Sequence, residues 1–171
     1  MSDAVKWQYL QGTPQKDATH PAIKRLSWLL MEAARSSHAP SLAVVRLRFV
    51  QLVFTVARDW IRYEIDTDRV GHEDISGFTR AEKPDDAVDA LYRGVDDCDA
   101  KARLFCALCL AQGVQAQIVP HWEHGALAHV SAAFSADGAT WVPVELTLSR
   151  ARLGDVAKDI PKETTGKWQT T

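Results

Sequence analysis

The sequence predicts an α+β domain, with helices first and an antiparallel sheet last. Three observations predict it. Apolar residues recur at helical spacing from Pro21 to about Arg62, and again from Asp99 to Gln112. After Gly113 the period falls to two, over VQAQIVPHW, ALAHVSAAF and TWVPVEL. Those strand candidates are joined by short links, His124-Gly125 and Ser135-Ala136-Asp137-Gly138, which suit hairpins and are too short for parallel crossovers. Helices followed by strands is the α+β order, as opposed to alternating βαβ units.

Each element has its own signals. Residues 1–20 read as an arm in which Trp7, Tyr9 and Leu10 can pack onto something else. Pro21 suits a first helical turn, and the run after it sets Ile23, Leu26, Leu29, Leu30 and Ala33 on one face. Ser41 is placed to cap a long helix from about Leu42 to Arg62, with Val45, Phe49, Leu52, Val56 and Trp60 as its core stripe. Residues 66–83 are polar, contain Gly71 and Gly77, and read as a surface loop. Pro84-Asp85-Asp86 opens a short helix through Tyr92 that Gly94 ends. A cysteine-bearing helix comes next, and residues 151–171 form a polar tail. The expected division is therefore an arm at 1–20, one domain at 21–150 and a tail at 151–171.

The bulk properties exclude more than they assign. A chain of 171 residues suits one domain with a sizeable core. Twenty basic residues against 22 acidic ones leave a net charge of −2, which gives no electrostatic case for nucleic acid or an anionic membrane. The most apolar stretch, Leu42 to Ala57, is broken by Arg46, Arg48 and Gln51, well short of the roughly 20 apolar residues of a membrane span. The N-terminus is polar and lacks the apolar region of a signal peptide, so a cytoplasmic location is expected. Three cysteines is an odd count, with Cys106 and Cys109 in one helical pattern, so no disulfide framework is expected.

The chemistry centres on Asp97-Cys98-Asp99, where an apolar helix begins. Unpaired backbone N–H groups and the positive end of the dipole favour an anion there, and the thiolate is the nucleophilic form of cysteine. The flanking Asp96, Asp97 and Asp99 act against that by like charge, unless one of the first two caps the helix and turns away. Cys106 and Cys109 lie among Leu, Phe and Ala and read as core residues. Alternation sets Leu127, His129, Ser131 and Ala133 on one face of their strand. A five-residue hairpin loop, Ser135–Ala139, would pair Phe134 with Thr140 and put His129 directly opposite Glu145. Cysteine, histidine and carboxylate in that order form a nucleophile, a base and an orienter. His121 and His124 with Cys106 and Cys109 lack the knuckle geometry of a zinc site, so no metal is expected.

The segment RGVDDCDAKARLFCALCLAQGVQAQIV resembles the nucleophile helix of the transglutaminase-like superfamily of cysteine enzymes, whose bacterial and phage-borne members commonly read GDCDDKA. FVQLVFTVARDWIRYEID upstream and AHVSAAF…DGATWVPVELT downstream are similar to flanking motifs of that family. The resemblance covers about residues 42–148 and implies a papain-like α+β fold, with the cysteine helix packed on an antiparallel sheet. It further implies Cys98 as nucleophile, His129 as base, Glu145 as third member and Tyr63 as an aromatic donor beside the oxyanion. This chain departs from the family pattern with Asp96 for glycine, Glu145 for aspartate and Leu146 for proline. The activity the resemblance implies is that of a cysteine peptidase or amidase, or an acyltransferase, in which water or an amine resolves an acyl-thioester. Hydrolysis of a peptide or amide bond in a peptide or protein substrate is the expected outcome, without a cofactor. The alternative is a non-catalytic member serving as a binding or assembly module, such as a phage-particle component, with the N-terminal arm as its contact.

Overall fold

The computed structural model describes residues 3–35, 41–64 and 86–156. The expected loop at 66–83, the residues Pro84 and Asp85, and most of the expected tail lie outside the described residues. In order, the chain forms α1 (Asp3–Asp17), α2 (Pro21–Arg35), α3 (Leu42–Thr55), a π-helical turn (Val56–Trp60), β1 (Arg62–Tyr63), α4 (Ala87–Arg93), β2 (Val95–Asp96), α5 (Cys98–Leu110), β3 (Gln115–Glu123), β4 (Ala126–Ser135) and β5 (Val142–Val144). Strands β3, β4 and β5 make an antiparallel sheet in chain order, as the short links require. No helix among the described residues is long and apolar enough to cross a membrane.

Helix α5 is the centre of the molecule. Every residue from Asp99 to Cys109 is buried, because α1, α2, α3 and α4 pack around it and β3 and β4 cover it from the sheet side. Its second half, Leu104–Leu110, is apolar on all faces as such a position requires, while Asp99, Lys101 and Arg103 of its first half are buried as charged groups. Phe105 meets Phe134 of β4 edge-on, with ring centroids 6.4 Å apart. Ser27 of α2 donates from Oγ to the Leu108 carbonyl at 2.7 Å, which brings two helices close at a small polar residue. Cys106 and Cys109 are fully buried, and burial pushes both thiols above their ordinary range.

Residues 3–17, expected as an arm, form a helix packed on α5, with Leu10 fully buried and Trp7 against the core. Gly12 and Pro14 lower its local propensity, and tertiary contact overrides them. Helix α2 is rotated from the expected face. It buries Ile23, Ser27, Met31 and Ala34, while Leu29 is exposed. The long helix expected to Arg62 also changes. Beyond Thr55 the wider π turn adds a residue and rotates the chain after it, so Val56 and Ala57 are buried while Trp60 is 62% exposed.

The parallel pair β1–β2 was not legible in the sequence, being two residues long in each strand. Arg62 lies opposite Val95 and Tyr63 opposite Asp96. The Arg62 amide donates to the Gly94 carbonyl at 2.8 Å and the Glu64 amide to the Asp96 carbonyl at 3.1 Å. Gly94 ends α4 at φ +66°, a left-handed conformation that a side chain disfavours. The chain then runs straight through β2 into α5.

Candidate active site

Cys98 is the first residue of α5 and is partly buried. Asp97 is its N-cap: the carboxylate accepts from the amides of Asp99 at 3.1 Å and Ala100 at 3.3 Å. Asp96 is engaged elsewhere, accepting from Arg93 and from the Asp97 amide. Two of the three aspartates that crowd the cysteine in sequence are therefore spent on capping and an ion pair. Replacing Asp97 by alanine is expected to cost about 1 kcal/mol, the usual loss for an N-cap. A urea denaturation midpoint checks it, and an unchanged midpoint would show the cap to be redundant.

His129 and Glu145 meet. Nε2 of His129 donates to Oε2 of Glu145 at 3.0 Å, and the two side chains are only 12% and 2% exposed. The route to this contact differs from the expected one. Phe134 pairs with Val142 in place of Thr140, so the hairpin is two residues out of the expected register. Asp137 is the cause. Its carboxylate accepts from the amides of Ala139 at 2.8 Å and Thr140 at 2.7 Å, and from the Ser135 hydroxyl. The Thr140 amide is thereby taken out of the ladder, and the loop lengthens. A shift of two keeps each residue on its face, so Glu145 lies diagonal to His129 and the extra methylene of glutamate helps it reach.

A bulge sits beside His129. His121 pairs with His129, but the next pair is Trp122 with Leu127, which leaves Ala128 as the extra residue. Leu127, expected on the His129 face, instead is partly buried against the core. Bulges re-aim neighbouring side chains and are common next to active sites.

Three more residues complete the cluster. Thr147 donates to Glu145 Oε1 from its amide at 2.8 Å and from its hydroxyl at 2.6 Å. Burial alone would push the Glu145 carboxyl up. The bonds from His129 and Thr147, with the histidine charge, outweigh it and hold the carboxyl at about 2. The His121 ring lies 5.5 Å from the His129 ring, and its Nε2 bonds the Ser131 hydroxyl at 2.7 Å. Burial, with the neighbouring His129, holds His121 below its ordinary value against the pull of Glu145. Since Glu145 occupies Nε2 of His129, Nδ1 is the ring nitrogen left to exchange a proton with another group.

Lys101 of α5 lies within electrostatic reach of this cluster. One turn beyond Cys98 and fully buried, its ammonium feels the Glu145 carboxylate. Tyr63, half-exposed, stands opposite Asp96, two residues before Cys98. Lys101 and Thr147 were missed in the sequence, where His121 is weighed only as a metal ligand and Ser131 stands on the His129 face without a role. A lysine one turn into the cysteine helix, and a threonine two residues after the key glutamate, were the signals available. Among the described residues no three metal-ligating side chains converge, and His124 sits exposed in the β3–β4 turn.

An α+β domain in which a cysteine heads the central helix, and the antiparallel sheet packed on that helix carries a histidine–carboxylate pair, has the papain-like architecture. The model of the transglutaminase-like superfamily matches residues 53–146, more than half of the chain, and the protein belongs to that superfamily. The superfamily includes cysteine-dependent enzymes. A solved structure described as "Crystal structure of a TGase" is similar at 18% identity and TM-score 0.45, over 83% of this chain. The match spans 35% of that longer chain. No curated protein matches the sequence.

Proposed function

We propose that this protein is a cysteine-dependent hydrolase of peptide or amide bonds. The Cys98 thiolate attacks the carbonyl carbon, and the Cys98 backbone N–H with the Tyr63 hydroxyl receives the oxyanion. His129 has taken the thiol proton at Nδ1 and returns it to the leaving amine, giving an acyl-thioester. Water, activated by the same imidazole, then releases the acid and restores the thiol. Glu145 orients the ring through Nε2 and stabilises the imidazolium. The observation that supports this reading is the buried His129–Glu145 bond at 3.0 Å, on the sheet that packs against the cysteine helix.

Alkylation with iodoacetamide at neutral pH, followed by peptide mapping, tests it. Cys98 is expected to react at least about tenfold faster than the buried Cys106 and Cys109, and His129→Ala should remove most of that advantage. Equal, slow labelling of all three thiols would sink the enzyme reading and favour the non-catalytic binding module.

A further inference from the structure

The buried lysine of α5 has no part in the chemistry above, yet it is costly to bury. Its side chain is 1% exposed, and burial pushes its pKa down to about 8, opposed by Asp59 and Glu145 and reinforced by Arg58. Main chain holds it. Nζ donates to the Arg58 carbonyl at 2.9 Å and to the Ile61 carbonyl at 2.6 Å. These oxygens belong to the π turn and to the residue just after it, at the end of a long helical segment where carbonyls lack helical partners and a cation is favoured. The next residues along the chain are Arg62 and Tyr63 of β1.

A closed circuit results. From Cys98, one turn of α5 leads to Lys101, whose ammonium grips the end of the π turn. That turn leads into β1, β1 bonds β2 through the Arg62 and Glu64 amides, and β2 leads through Asp97 back to Cys98. The separation of Tyr63 from Cys98 is thus set along two paths, and only one of them is the two-residue ladder.

We propose that Lys101 is a positioning residue, a clasp that fixes the Tyr63 strand against the start of the cysteine helix. The inference rests on the reading of Cys98 as nucleophile and Tyr63 as oxyanion donor. An ammonium suits the task because its donors are compact and radiate from one atom toward two carbonyls of different residues. Methionine would fill much of the same space and bond neither.

Two measurements on the full chain decide it. In Lys101→Met, amide hydrogen exchange at Arg62 and Glu64 should quicken about tenfold or more, while the β3–β4 amides keep their wild-type rates. Unchanged exchange at Arg62 and Glu64 overturns the clasp, whether or not the protein proves to be an enzyme. In a double-mutant cycle on p-nitrophenyl acetate hydrolysis, Lys101→Met should lower turnover about tenfold when Tyr63 is present and less than about twofold in Tyr63→Phe. Additive losses would mean that Lys101 acts through general stability and not through Tyr63. If wild-type turnover is absent, the hydrolase reading fails and the exchange result alone decides the clasp. Should Lys101→Met not fold, Lys101→Gln, which keeps an N–H donor on a shorter side chain, is measured in the same way. It should quicken exchange less than a full loss of donors would, and wild-type rates in it overturn the proposal.

Discussion

Arg103→Met is expected to remove about 3–5 kcal/mol of stability, the usual loss when one partner of a buried ion pair is deleted. Arg103 and Asp17 are 2% and 6% exposed, joined by Nε to Oδ2 at 2.5 Å and Nη2 to Oδ1 at 3.0 Å. The Ala87 amide also donates to Asp17 at 3.2 Å, so one carboxylate ties α1, α4 and α5 together. Without the guanidinium, Asp17 remains buried as an anion in a space that cannot solvate it. For a chain of this size the loss corresponds to about 10 °C in melting temperature, which calorimetry would resolve. The double variant Asp17→Leu/Arg103→Met should recover most of it, because the penalty lies in the stranded charge and not in the missing contact. If the double variant is as unstable as the single one, packing and not charge is what Arg103 supplies.

Glu145→Gln should strip about 3 kcal/mol of pH-dependent stability and disorder the His129 ring together. The carboxyl of Glu145 is held at about 2 in the fold, below the 4.5 of the free side chain. A depressed carboxyl stabilises above the unfolded value, and that contribution is lost as pH falls from 4.5 through 2. Urea midpoints for the two proteins should therefore differ widely at about pH 7, by less than half as much at about pH 3, and converge near pH 2. A gap independent of pH would show that the charge is not what stabilises. Glu145→Asp should fail to rescue the histidine bond. In the diagonal register aspartate is one methylene short, even though it is the residue the family pattern favours.

The outcome at Glu145 shows how far the residues could be read in advance. Face and partner were legible, because alternation fixes which side of a strand a residue occupies and a register error of two preserves it. The register itself was not legible. It depended on Asp137 taking the Thr140 amide, a local bond that competes with the ladder and leaves no period in the chain. At α1 the failure ran the other way: Gly12, Thr13 and Pro14 argue locally against a helix that burial of Leu10 and Asp17 then secures.

For the site, the pattern of residues was enough to name Cys98 at a helix start, with Asp97 as one of two candidate caps, and to pair His129 with Glu145. Those depend on short-range geometry: a cap reaches two or three residues, and a strand has a period of two. Packing alone chose Asp97 as that cap and supplied the bulge beside His129, the buried Lys101 with its two carbonyls, the ion pair of Arg103 with Asp17, and β1 against β2. Most of these join segments far apart in the chain. A buried polar group takes whichever partner the assembled fold brings within about 3 Å, and sequence spacing holds no record of it.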